Sequence, residues 1–342
     1  MATPEQPAEE VHMPPDDRPE ERVRDDDQDS ALGDDDVAQS TSSLASSILD
    51  YRKENGRTYH GYKDGKYNLP NDESERERLD LQHHLFLLTL EGKLGLAPPN
   101  DQDAKVNRVL DVGTGTGIWA MDYGDEHPDA EEVIGVDLSP IQPSFVPSNV
   151  FFQVDDVEEP WTYSKPFDYI HSRMMTSSLA NWEEYFRNCY DNLAPGGWLE
   201  LQEGDLFASS DDGTLKPEHA LAKCLDYLHQ ASVKFGREYQ DIKRFKGMMA
   251  AVGFVDIVEK TYKWPTHSWP KDKKHKDLGL WTYQNFGGGL ESFCMAAYTR
   301  GLGWTKEEVL VFCAAVRRDM RDRNIHAYWP IYVIYGRKPE AQ

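Results

Sequence analysis

The sequence predicts an α/β fold: a mostly parallel sheet with helices on both faces, preceded by an N-terminal helical segment and completed by a helical, aromatic-rich cap. Three observations carry that expectation. Between residues 109 and 202, short apolar and β-branched runs alternate with segments of helical period, a rhythm that pairs strands in parallel through crossover helices. A glycine-rich turn, Asp111-Val112-Gly113-Thr114-Gly115-Thr116-Gly117, joins the first of these strands to the first helix. Apolar residues make up 39% of the 342 positions and aromatics 11%, enough for a sizeable core in one large or two small domains.

The first 43 residues stand apart. Residues 1–36 hold 14 acidic side chains against Arg18, Arg22 and Arg24, about half of the net charge of −23. Such a segment buries too little apolar surface to offset its ordering entropy, and it is expected to be disordered. It is either a plain solvated tail or a docking site for a basic protein partner. The acidic balance argues against a nucleic-acid binder, which needs a cationic footprint. No apolar run approaches the ~20 residues of a membrane span, and the N-terminus lacks the apolar centre of a signal peptide. Cys189, Cys224, Cys294 and Cys313 include no CxxC pair, which favours a reducing compartment over a disulfide framework or a zinc site.

Residues 44–104 read as an N-terminal helical extension. Tyr51, Tyr59, His60, Tyr62 and Tyr67 form a polar aromatic stretch, and Leu69-Pro70-Asn71-Asp72 supplies a stop followed by a helix start. Leu79, Leu81, Leu85, Leu87, Leu88 and Leu90 predict a largely buried helix from Glu73, which Pro98-Pro99-Asn100 ends. From residue 105 onward, strands are expected at Val109–Val112, Val133–Leu138, Val150–Val154, Phe167–His171 and Trp198–Gln202. Asn181 caps a helix whose Trp182, Tyr185, Phe186, Cys189 and Leu193 share one face, and Ala194-Pro195-Gly196-Gly197 terminates it. Helices at Pro217–Phe235 and Tyr239–Val252 precede a strand near Phe254–Tyr262. Thr305-Lys306-Glu307-Glu308 has capping-box spacing and opens a helix to about Arg321, and Tyr328–Tyr335 reads as a closing strand. Segments near 204–240 and 263–303 are cap insertions. In the second, Trp264, Trp269, Trp281, Tyr283, Phe286 and Phe293 beside Gly287-Gly288-Gly289 form either a lid over a pocket or the packing of a helical cap.

The glycine turn is the strongest chemical signal. Glycine permits a sharp bend and lets a ligand approach without a Cβ in the way. The spacing is neither the dinucleotide G-x-G-x-x-G, since the third glycine comes one residue early, nor a P-loop, since no Gly-Lys-Ser/Thr follows. Asp111 would repel a pyrophosphate and suits a cationic or zwitterionic ligand. Asp137, twenty residues after Gly117, has the spacing of a carboxylate that accepts both ribose hydroxyls. Asp155-Asp156-Val157 ends the third strand, where an acid can take an adenine amino group. An adenosine with a positively charged amino-acid tail meets all three conditions: S-adenosyl-L-methionine.

Together, Asp111/Gly113/Gly115/Gly117, Asp137, Asp156, Phe167-Asp168 and Pro195-Gly196-Gly197 resemble the motifs of class I methyltransferases. That resemblance implies a Rossmann-like sheet of seven strands, its last strand antiparallel, with Tyr328–Tyr335 as that strand and Val252-Gly253-Phe254 preceding the sixth. A narrower likeness covers most of residues 46–338. Asn55-Gly56-Arg57-Thr58-Tyr59-His60, Tyr67, Leu69-Pro70-Asn71-Asp72-Glu73, Glu75, Arg78-Leu79-Asp80, His83, Phe167–Arg173, His326-Ala327-Tyr328 and Tyr335-Gly336-Arg337 resemble fungal LaeA-type methyltransferases. This implies a fungal source, a cytoplasmic or nuclear location, and a role in secondary metabolism, either on a small-molecule acceptor or in regulation through protein partners.

The candidate cofactor contacts are Tyr59, Tyr67, Asp111, Gly113, Gly115, Gly117, Asp137, Leu138, Asp155, Asp156, Val157 and His171. Tyr59 and Tyr67 belong either to the core or to a loop folding over the cofactor. His171, after the fourth strand, is a base, a substrate-orienting group or a structural histidine, and Arg173 holds a loop or an acidic group. His326 reads as structural. The basic run Lys271–Lys276 is a nuclear signal or a solvated loop. Methyl transfer draws mainly on alignment and exclusion of water and requires a base only where the acceptor arrives protonated; the sequence names none.

Overall fold

The computed structural model describes residues 48–341; the acidic segment 1–43 lies outside the described residues. The polar aromatic stretch that opens the N-terminal extension holds a hairpin ahead of the expected helix. Strands β1 (Arg52–Glu54) and β2 (Arg57–Tyr59) form an antiparallel hairpin. Its turn is Asn55-Gly56, with φ of 54° and 87°, the left-handed pair that a tight hairpin requires. Helix α1 (Glu73–Thr89) follows, capped by Asp72, whose side chain accepts from Glu75 N. Its buried face is not the expected row of leucines alone: Glu75, Arg78, Gln82 and His83 are buried beside Leu85 and Phe86. The charges are tolerated because they are paired. Arg78 Nη2 donates to Glu75 at 2.7 Å and Nη1 to Asn285 at 3.0 Å, with the guanidinium over the Phe293 ring.

The sheet is built from β3 (Arg108–Val112), β4 (Glu132–Asp137), β5 (Val150–Val154), β6 (Phe167–Arg173), β7 (Leu193–Gly204), β8 (Val255–Pro265) and β9 (Tyr328–Arg337). Their spatial order is β5-β4-β3-β6-β7-β9-β8. The first five pair in parallel, and β9 is antiparallel to both neighbours, the arrangement expected for the closing strand. Strand β7 begins at Leu193 rather than Trp198, because Gly196 N and Gly197 O bond to Lys338 beyond β9. Along β3 the side chains alternate between two buried faces. Leu110 and Val112 pack with Trp182 and Phe186 of α3 (Trp182–Asn192), and Val109 with Trp119 and Tyr123 of α2 (Ile118–Glu126).

The C-terminal cap is helical, built from α4 (Ala220–Lys234), α6 (Lys273–Thr282), α7 (Leu290–Ala296) and α8 (Lys306–Arg321), whereas α5 (Phe245–Val252) packs beside α3 on the sheet. The expected second helix here is split, with a 3-10 turn at Ile242–Arg244 before α5. Asp272 caps α6 by accepting from His275 N, so most of the basic run opens a helix. α8 carries the full Thr305/Glu308 capping box. Several aromatics of 263–303 pack into the cap, and two of them, Phe286 and Phe293, also line the cavity. Trp264 is fully buried and donates to Thr89 Oγ1 at 2.7 Å, and Phe286 stacks on Phe293 and Trp329. Gly288 is helical, and Gly289 backs onto Arg78. Among the described residues, no helix is long and apolar enough to cross a membrane.

Candidate active site

The chain runs from β3 outward to β5, then returns to the other side of β3 as β6. The strand order reverses there, which leaves a crevice at the carboxyl ends of β3 and β6. Asp111 pairs in register with His171, and Val112 with Ser172. The turn after β3 bends sharply, with φ of 69°, 58° and 80° at Gly113, Gly115 and Gly117. A Cβ on Gly115 would meet only Leu79 Cδ1 at 3.3 Å, so the backbone there presents an open face.

The carboxylates are held in place by short bonds. Asp111 accepts from Thr114 Oγ1 at 2.6 Å and lies 2.8 Å from His171 Nδ1. The His171 ring is fully buried and stacks on Trp119, with centroids 3.7 Å apart, while Nε2 has no partner. Asp137 accepts from Gly115 N and from Ser139 N, each at 2.9 Å. Burial raises the Asp137 pKa against the pull of those N–H groups; the carboxylate is shielded from bulk water yet opens into the crevice. Asp156 forms an ion pair with Lys66 and accepts from Glu158 N at 3.1 Å. His60 accepts from Tyr67 N at 3.1 Å and lies 2.6 Å from Tyr62 O, which pins the 60–67 loop beside the crevice.

One continuous cavity of about 220 Å³ gathers Tyr67, Asp111, Gly113, Gly115, Asp137, Leu138, Asp155, Asp156, Val157 and His171. That is more than ten times what a single water needs (roughly 15 Å³), so it is room for a ligand. Two expected contacts are not in its wall. Tyr59 lies buried in the hairpin, with the Arg300 guanidinium 4.4 Å over its ring; it is a core aromatic. Gly117 serves packing, because a Cβ there would stand 2.3 Å from Phe152 Cζ.

The sequence reading missed much of the remaining wall. Lys66, Glu75, Arg78 and Leu79 enter from the N-terminal segment, and Arg173 and Met174–Leu179 from the end of β6. Beyond them the cavity turns apolar, lined by Leu221, Leu225, Leu228, Phe286, Phe293 and Trp329. Glu203 supports this wall from behind. It is fully buried near the end of β7, accepts from Met175 N at 2.9 Å through Oε1, and leaves Oε2 unpartnered. Burial pushes its carboxyl up to about 8.

With this geometry in place, known proteins give the family. Residues 81–259 match the family model described as a methyltransferase domain. Methyltransferase pytC of Aspergillus terreus is 44% identical over 304 residues, covering 89% of this chain and 93% of that one. The chain belongs to the fungal LaeA-type family of S-adenosylmethionine-dependent methyltransferases. The secondary metabolism regulator LAE1 of Cochliobolus heterostrophus (strain C5 / ATCC 48332 / race O) is 39% identical, with 84% and 94% of the two chains covered. The probable methyltransferase tdiE of Emericella nidulans is 36% identical, with 87% and 92% covered. The protein is a methyltransferase of the class I fold.

Proposed function

We propose that this LaeA-type methyltransferase acts on an apolar small molecule of fungal secondary metabolism, with oxygen as the favoured acceptor atom. The observation that carries this reading is the continuity of the cavity: the carboxylate-ringed crevice at β3 and β6 opens directly into the apolar chamber under the cap. Donor and acceptor therefore share one water-poor space.

The residues present fit the cofactor. The open backbone face at Gly115 leaves room for a ligand that a side chain would exclude. In this assignment Asp137 holds the ribose hydroxyls, Asp156 the adenine amino group with Leu138, Asp155 and Val157 beside it, and Gly113 and Gly115 the amino-acid tail. Tyr67 closes the loop side, and His171 fixes Asp111 rather than acting as a base. When bound, S-adenosylmethionine supplies a methyl carbon activated by a sulfonium. The chain's own contribution is alignment and exclusion of water. A carboxylate or ionised hydroxyl acceptor needs no base, which is why oxygen is favoured.

Residues 44–104 and 105–342 then act as one catalytic unit, with 1–43 as an appended tail. The four buried thiols suit the reducing cytoplasm or nucleus. The relationship to LAE1 favours a second reading, a cofactor-binding regulator that works through protein partners. Two experiments test these readings. Calorimetric titration with S-adenosylmethionine is expected to show binding that Gly115→Asp abolishes; no binding by the unmutated protein removes the proposal. Deleting residues 1–43 should leave turnover intact in an enzyme and abolish partner capture in a tail-dependent regulator.

A further inference from the structure

Arg173 is the last residue of β6, two positions beyond His171 and therefore on the same face of the strand. The residue lines the same crevice as Asp111. Nη1 sits 3.2 Å from His83 Nδ1, and the Phe86 ring lies 5.0 Å beneath the charge. His83 in turn approaches Asp122 through Nε2 at 2.9 Å. Burial lowers the His83 pKa, so a neutral ring donates to Asp122 and accepts from Arg173.

Among the described residues, no carboxylate comes within ion-pairing distance of Arg173. The three acids whose fields reach it are Asp111, Asp122 and Asp80. Each is engaged elsewhere: Asp111 with Thr114 and His171, Asp122 with His83, and Asp80 with Thr116 Oγ1 at 2.7 Å. A half-buried guanidinium at a cavity wall that has no carboxylate of its own keeps donors free for an anionic ligand. A planar fork of donors facing a cavity is also the preferred partner of a carboxylate.

We propose that Arg173 binds the α-carboxylate of the methyl donor's amino-acid tail, with Asp111 on the side of its ammonium, so that two fixed opposite charges read a zwitterion. The proposal rests on the cofactor assignment above. It also explains why the turn tolerates Asp111: the acid faces the positive half of the tail, and Arg173 supplies the charge for the negative half.

The test compares two ligands on the full chain by calorimetry. S-adenosylhomocysteine carries the amino-acid tail, and 5′-methylthioadenosine keeps the nucleoside and thioether without it. Arg173→Met is expected to weaken S-adenosylhomocysteine by about 10- to 100-fold, the range for a charge-assisted hydrogen bond, while 5′-methylthioadenosine changes less than about twofold. Arg173→Lys should recover part of the loss. Equal weakening of both ligands would mark a general defect of the crevice and overturn the proposal. Unchanged S-adenosylhomocysteine affinity would overturn it too, leaving the guanidinium for an acidic group on the acceptor. Failure of the unmutated protein to bind either ligand defeats the cofactor assignment itself.

Discussion

Glu203 gives the sharpest test of the packing behind the cavity. Its carboxyl is fully buried, one oxygen has no partner, and burial pushes its pKa up to about 8 against an ordinary value of 4.5. The sign follows from linkage. Below about pH 4.5 the group is protonated in both folded and unfolded chains and costs nothing. Between about pH 4.5 and 8 the unfolded chain gives up the proton while the folded chain keeps it, so stability falls as pH rises; above about 8 the loss levels off. The full penalty is on the order of 3–5 kcal/mol. Glu203→Gln removes that penalty while its amide oxygen still accepts from Met175 N. The variant should therefore melt above the parent at pH 8, by about 6–20 °C at about 2–4 °C per kcal/mol. The difference should shrink toward zero near pH 5. Differential scanning calorimetry of both proteins from pH 5 to 8.5 measures it. A difference that stays flat across this range, or grows toward low pH, would refute the argument.

Two further outcomes follow from ion pairs around the site. Arg57 grips Asp72, the cap of α1, through Nη2 at 2.7 Å and reaches Ser292 at 3.1 Å; Arg57→Ala should cost about 1–3 kcal/mol, read by urea denaturation, and a change below about 0.5 kcal/mol contradicts the role. Lys66 occupies Asp156, the acid assigned to adenine, so Lys66→Met should tighten S-adenosylhomocysteine binding several-fold by removing a competitor; weaker binding in the calorimeter would show instead that the lysine helps hold the ligand.

The sheet was legible in the sequence because its strands are buried on both faces and show as short apolar runs. Asn181 and Thr305 were legible because a cap needs a particular side chain at a particular spacing. The crevice was legible because glycine at a strand–helix turn and acids at strand ends are local signals. The hairpin was missed although Asn55-Gly56 carries the usual turn chemistry, since its strands are only three residues each and show no period. Arg78 and Glu75 were missed as cavity residues, and Arg173 was left between a loop and an acidic group, for a different reason. Their partners, Asn285, Phe293 and His83, arrive from distant segments, and nothing along one segment announces which charge will be buried by another. The outcome at Tyr59 shows the same limit: the cation over its ring comes from Arg300.

The position of β9 also bears on how the protein is made. Residues 328–337 are synthesised after every other strand, yet they lie inside the sheet, between β7 and β8. Until they leave the ribosome, β7 is an open edge and β8 has no sheet to join. Closure of the sheet is therefore a late, long-range pairing. Shortening the chain by a dozen residues would thus do more than trim an end; it would leave a slot in the middle of the barrier that separates the two faces.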